Sequence, residues 1–268
     1  MLLSAALLAA ALVLIVVTPT VLKAGPWAVH HPRTALLMWF SACALGCASA
    51  LASIGAAVVG GLMAGDASDG ATAIALTVAS WLGLGIVGAA SALIVTTTEP
   101  IVHESRVRLR DVVPASGSVD ERRDLTLAHI ASNDVVACSL PGRDPAIIIP
   151  SRLETALTRP QLQAVLAHEY AHLRGRHHLL KSVVRINAAC LPPRLRAGRD
   201  FERATTLLLE LIADDSAAKQ AGPVHLANAL AAIGDLSGDA GLHLRAERLT
   251  TRRWPRARSR RVPVAIRL

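Results

Sequence analysis

His168, Glu169, Tyr170, Ala171 and His172 set two imidazoles four residues apart, with an acid next to the first. On an α-helix that spacing puts both rings within about 40° of each other on one face, one turn apart, so both can reach a single metal ion. Glu169 lies beside that face, where a carboxylate can take a proton from water. A catalytic zinc site uses three protein ligands, and Glu210 in the run Glu-Leu-Ile-Ala-Asp-Asp-Ser-Ala offers the third. Glu210 interrupts the apolar series Leu207, Leu208, Leu209, Leu211 and Ile212. An unpaired carboxylate there is costly to bury, and a metal partner offsets that cost. Asp214, one turn further on, is placed to accept a hydrogen bond from the distal nitrogen of a ligand histidine and so fix its tautomer. The competing reading is a solvated helix with incidental histidines and an exposed Glu-Asp pair. It leaves the matching spacing of separate features unexplained.

The elements that must carry these residues are readable around them. Asn133 to Leu140 and Ala146 to Pro150 are short β-rich runs separated by Pro141, Gly142, Arg143 and Asp144, which predicts a hairpin. Thr158, Pro160 and Gln161 form a capping-box start for a helix that carries His168 and His172 and extends to about Leu180. A second helix, with Glu210 and Asp214, is expected from about Phe201 to Lys219, bounded after it by Gly222 and Pro223. Between them lies Lys181 to Ala197, partly apolar and broken by Pro192 and Pro193, a candidate for the membrane surface. His177, His178, Arg174 and Arg176 follow the histidine pair and are candidates for stabilising an anionic intermediate or for meeting lipid head groups. His225 and His243 have no partner pattern and read as ordinary histidines.

The remainder of the chain explains an unusual composition. With 52% hydrophobic and 18% charged residues and a mean hydropathy of +0.43, its 268 residues are too apolar for an ordinary soluble domain, where about a quarter are charged. Three nearly charge-free blocks carry the excess: Met1 to Leu22, Thr34 to Gly65 and Gly70 to Thr98. Each reaches the roughly 20 residues a helix needs to cross a bilayer, so three membrane helices are expected within residues 1–98. The first block lacks the basic start and short apolar core of a cleaved secretory signal. Lys23 and Arg33 flank one connection and Asp66 and Asp69 the other. The positive-inside rule then places the first connection, and everything after Thr98, in the cytoplasm. Small residues at spacing four, such as Gly46 with Ala50 and Gly61 with Gly65, fit close helix packing in lipid, and Cys43 and Cys47 read as packing residues on one helix side. Four scattered cysteines suit neither a disulfide scaffold nor a four-cysteine zinc site.

Charge also separates by region. Residues 99–250 are balanced, with nineteen bases and eighteen acids, whereas residues 251–268 hold seven arginines and no acid. The net charge of +8 thus belongs to a short tail that suits anionic lipid, and no direct nucleic-acid partner is expected.

AVLAHEYAHLRGRHH together with ELIADDSA resembles the gluzincin metallopeptidases, which pair HExxH with a downstream ExxAD. Over about Asn133 to Ala217 the chain is most similar to the BlaR/MecR-type membrane peptidases; the HtpX-like proteases, with more apolar segments after the motif, fit less well. The resemblance implies Zn²⁺ held by His168, His172 and Glu210, Glu169 as general base, and cleavage of a cytoplasmic regulatory protein such as a transcriptional repressor. That group carries a fourth membrane helix after the zinc domain and often an extracellular sensor. This chain reads as having neither, so antibiotic sensing is not implied. The expected architecture is a mainly α membrane protein: three N-terminal transmembrane helices, a cytoplasmic α+β zincin-like metallopeptidase domain over 99–250, and a basic tail over 251–268. The expected activity is that of a zinc metalloendopeptidase in the cell membrane, with membrane lipids and a protein substrate as partners. The alternative is a catalytically silent scaffold or signalling protein that keeps zinc for structure; an intact Glu169 favours the enzyme, since a structural site needs no base there.

Overall fold

The computed structural model describes residues 2–14, 27–63, 118–122, 125–142, 144–190 and 196–254, with a few isolated positions between 70 and 81. The chain divides into two compact units, one of Met1–Ile101 with Val183–Leu208 and one of Val102–Ser182 with Leu209–Leu268. It is mostly helical, with one small sheet among the described residues.

In the first unit, α1 (Leu2–Leu12), α2 (Trp27–His30) and α3 (Pro32–Met63) follow in chain order. Over Pro32–Gly60, α3 is long and apolar enough to cross a membrane. Only 11% of its most apolar window is buried, whereas the core helix of a soluble protein would be covered on most sides. Leu37, Leu45, Leu51 and Val59 are all more than half exposed. α1 packs along α3, and the Ser53 hydroxyl donates to the Ser4 carbonyl at 2.7 Å, a bond that satisfies a polar group among apolar neighbours. The first expected span is helical over Leu2–Leu12 and continues helical through residue 14, and its residues 1 and 15–22 lie outside the described ones. The third, Gly70 to Thr98, falls outside them apart from isolated helical positions, as does the arginine-rich tail beyond Trp254. Trp39 of α3 stacks on Phe201 with ring centroids 5.2 Å apart, and Val184 is buried in the same cluster.

The second unit holds a four-stranded sheet in the order β1-β2-β4-β3, from β1 (Ser118–Arg122), β2 (Leu125–Ile130), β3 (Cys138–Leu140) and β4 (Ala146–Pro150). The expected hairpin is the antiparallel pair β3 and β4, registered Cys138 to Ile148 and Leu140 to Ala146. Its first strand is shorter than the β-rich run, since Asn133 to Ala137 is not in the ladder. β4 is buried at every residue because it is central, paired in parallel with β2 on its other side. A short helix α4 (Ser151–Ala156) leads to α5 (Arg159–Arg174), whose start is closed by the Thr158 backbone N–H donating to Gln161 Oε1 at 2.8 Å.

α5 ends at Arg174 rather than near Leu180. Gly175 caps it and Arg176 takes a left-handed backbone with φ of 49°, so the chain turns and restarts as α6 (His177–Cys190). Lys181 to Cys190 is therefore helical, there being no breaker before Pro192. The second expected helix is α7 (Arg196–Ala221), which starts earlier than Phe201. α8 (Pro223–Ser237) and α9 (Ala240–Thr251) then form a helical hairpin, entered through Gly222 at φ 99° and turned at Gly238 at φ 71°. α5 packs against β3, β4 and α8, and the core gathers Leu127, Ile147, Ile149, Leu166 and Leu226.

Candidate metal centre

α5 presents one side to the sheet and core through Leu162, Val165 and Leu166, and brings His168 and His172 to a buried position one turn apart. Their Nε2 atoms lie 3.1 Å apart. Glu210 on α7 supplies Oε2 at 3.3 Å from His168 Nε2 and Oε1 at 3.5 Å from His172 Nε2. Ligands bound at about 2.0–2.1 Å in a tetrahedron lie roughly 3.3–3.4 Å from one another, so these three edges have the size that zinc requires. Two imidazoles and a carboxylate are also the donor types zinc accepts. The residues fit a metal ion, and His168, His172 and Glu210 are the group that could hold it.

Asp214 is fully buried on α7, with Oδ1 3.0 Å from His168 Nδ1. The contact lies off the line of the ring N–H, short of a well-directed hydrogen bond. Its main partner is Arg245 on α9, whose Nε and Nη2 donate to the two carboxylate oxygens at 2.8 Å each. Arg245 Nη1 also lies 3.3 Å from Glu210 Oε2, and Lys181 Nζ donates to Glu210 Oε1 at 3.0 Å. The next residue, Asp215, takes Arg248 at 2.9 Å and Arg252 at 2.6 Å. Both acids of the Asp-Asp pair are thus held by arginines, Arg245 and Arg248 on α9 and Arg252 just past its end.

Charges follow from this packing. Burial pushes the His168 imidazolium down, but Asp214 and then Glu210 outweigh it and raise its pKa to about 9. Burial would raise the Glu210 carboxyl, yet His168 and His172 hold it far below the usual carboxylate range. Asp214 is likewise lowered against its burial by Arg245 and His168. Burial and the neighbouring His172 lower His177 to about 4.

With His168 raised to about 9, the metal-free protein carries a proton on that imidazole at neutral pH, and a metal must displace it. Apparent metal affinity is therefore expected to rise by about tenfold per pH unit from about pH 6 to about pH 8, and to flatten above about pH 9. Competition titrations against a chelator of known pH dependence measure this slope. A flat profile would show that His168 does not hold the proton.

A cleft of about 300 Å³ opens at His172 and Glu210, lined also by Val136, Cys138, Glu169, His178 and Lys181. Glu169 is half-buried in its wall, next in sequence to His168 and outside the trio. The structure thus brings together His168, His172, Glu210 and Asp214, with Glu169 on the cleft. Of the four residues after the histidine pair, Arg174 and Arg176 are exposed, His178 lines the cleft, and His177 turns inward to His172. Arg245 and Lys181 escaped the sequence reading. Arg245 lies 31 residues from Asp214 with no motif linking them, and Lys181 reaches the site only because α6 restarts where α5 was expected to run on.

His168 and His172 on the HExxH helix, with a carboxylate from a second helix beside a mixed sheet, thus form a candidate metal centre of two imidazoles and a carboxylate. Residues 112–219, which include every ligand candidate, match the model of peptidase family M48. No curated protein and no solved structure matches the chain.

Proposed function

We propose that the chain is a membrane-bound zinc endopeptidase that hydrolyses peptide bonds of a cytoplasmic regulatory protein, such as a transcriptional repressor. The observation that carries this reading is Glu169, a carboxylate lining an open cleft immediately beside the His168, His172 and Glu210 trio. A site built only to hold structure has no use for a base at a cleft. The M48 match over residues 112–219 supports the peptidase class, and the long exposed α3 supports membrane attachment. The likeness to BlaR/MecR-type peptidases in HExxH, ExxAD and the upstream Pro-Gly turn supports a regulatory substrate.

His168, His172 and Glu210 would hold the zinc ion, which when bound would supply Lewis-acid polarisation of the attacking water and the scissile carbonyl. Glu169 takes a proton from that water as its oxygen attacks the carbonyl carbon, and delivers it to the amine as the C–N bond breaks. β3 is an edge strand with Cys138 and Ser139 on the cleft, so an extended substrate pairs beside it and is read through its backbone. Lys23 and Arg33 on one connection and Asp66 and Asp69 on the other favour an active site on the cytoplasmic face, with the arginine tail against anionic lipid.

The full chain, purified in detergent, is expected to cleave an unfolded protein substrate, to lose that activity to a strong zinc chelator and to regain it with added Zn²⁺. His168→Ala is expected to show neither bound zinc nor cleavage. Proteolysis that survives both treatments would exclude the assignment.

A further inference from the structure

We infer that His177 is a positioning residue for His172, accepting a hydrogen bond from its distal nitrogen and holding that ring in the tautomer and orientation a metal needs. The inference rests on His172 being a ligand and goes beyond it by assigning the group that aims it. His172 turns Nε2 toward His168 and Glu210, so its lone pair belongs on Nε2 and its proton on Nδ1. His177 Nδ1 stands 2.9 Å from His172 Nδ1. Only one of two facing nitrogens can bring a hydrogen, so His177 accepts and carries its own proton on Nε2. The rings meet at 90° with centroids 4.7 Å apart, and His177 is 5% exposed, so neither ring can turn without losing packing.

The turn between α5 and α6 is shaped for this contact. At Gly175 an added Cβ would fall against His177 Nε2 and lie 2.6 Å from its Cδ2, closer than real Cβ atoms approach a ring. Arg176 then takes its left-handed conformation, which starts α6 with His177 folded back under α5. A restart at a different angle would take this acceptor away from Nδ1 of His172. The two histidines are thus backed differently: His168 by the carboxylate of Asp214, His172 by a neutral imidazole that orients without adding negative charge.

Zn²⁺ affinity by chelator competition and the visible spectrum of bound Co²⁺ test this on the full chain in detergent, alongside the thermal midpoint of the metal-free protein. His177→Ala is expected to weaken Zn²⁺ binding by about 10–100-fold and to alter the Co²⁺ spectrum. His177→Gln, whose amide oxygen can accept from Nδ1, is expected to recover most of the affinity, and Gly175→Ala to weaken binding by crowding His177. His172→Ala serves as the reference and is expected to abolish tight binding. If His172→Ala abolishes binding while His177→Ala and Gly175→Ala leave affinity and spectrum unchanged, the positioning role is wrong and the metal site stands. If the wild type takes up no metal, the peptidase reading falls and this inference with it. An affinity loss in His177→Ala that His177→Gln does not recover, matched by an equal loss of metal-free stability, would reduce His177 to packing and overturn the role.

Discussion

Glu169→Gln is expected to lower the rate of peptide hydrolysis by about 10²–10⁴-fold while leaving zinc affinity unchanged. Glutamine keeps the size and the half-buried place of the side chain in the cleft wall, so substrate and metal meet the same surface. What it removes is the capacity to accept a proton from water and return it to the departing amine. The loss therefore falls on kcat, with KM nearly unchanged, because the interaction is made in the transition state. Single-turnover cleavage and metal content measured on the same preparation separate the two effects. Near-normal turnover would remove Glu169 from the mechanism, and loss of zinc together with turnover would make it part of the metal site.

The contrast between Glu169 and Arg245 shows which parts of the site the sequence discloses. His168, Glu169 and His172 are related by the helical repeat, a local property visible in five residues. Glu210 is visible because a carboxylate among Leu207, Leu208, Leu209 and Leu211 contradicts the pattern around it. The hairpin of β3 and β4 is similarly local. β1 is not legible, because Ser-Val-Asp-Glu-Arg is charged and its place at the sheet edge allows this where a central strand would not. β2 escapes because its pairing with β4 is parallel and non-local, and six residues of Leu-Thr-Leu-Ala-His-Ile do not announce a partner. The end of α5 is signalled by Gly175, but a single glycine in a helical pattern is tolerated often enough that apolar periodicity overrules it. Nearness along the chain makes His177 a candidate for anion stabilisation or lipid contact, and its contact with His172 is not legible there. The left-handed Arg176 precedes the restart that turns it inward, toward His172.

Asp214→Ala is expected to destabilise the protein by about 3–5 kcal/mol and to weaken zinc binding by about 10–100-fold. The stability loss comes from Arg245, which donates to both Asp214 oxygens and would keep the longer contact to Glu210. The affinity loss comes from His168, whose Nδ1 has Asp214 Oδ1 at 3.0 Å. A second substitution separates the two. Asp214→Ala combined with Arg245→Met removes the stranded guanidinium and is expected to restore much of the thermal midpoint, while zinc affinity stays low because His168 still lacks its partner. The pH dependence has a definite sign. Asp214 is lowered in the folded state, so its contribution is present above the ordinary carboxylate pKa of about 4 and is lost on further acidification. His168 is raised to about 9, so its contribution is complete below its unfolded pKa of about 6.5 and is lost as pH climbs through about 9. In the metal-free protein the gap in thermal midpoint between wild type and Asp214→Ala should therefore be widest between about pH 4 and about pH 6.5 and narrow on either side. With zinc bound, the alkaline side should no longer narrow, because His168 then carries no proton on its ligating nitrogen to lose. A gap that ignores pH in both forms would mean that Asp214 serves only to anchor α9, with no part in aiming His168.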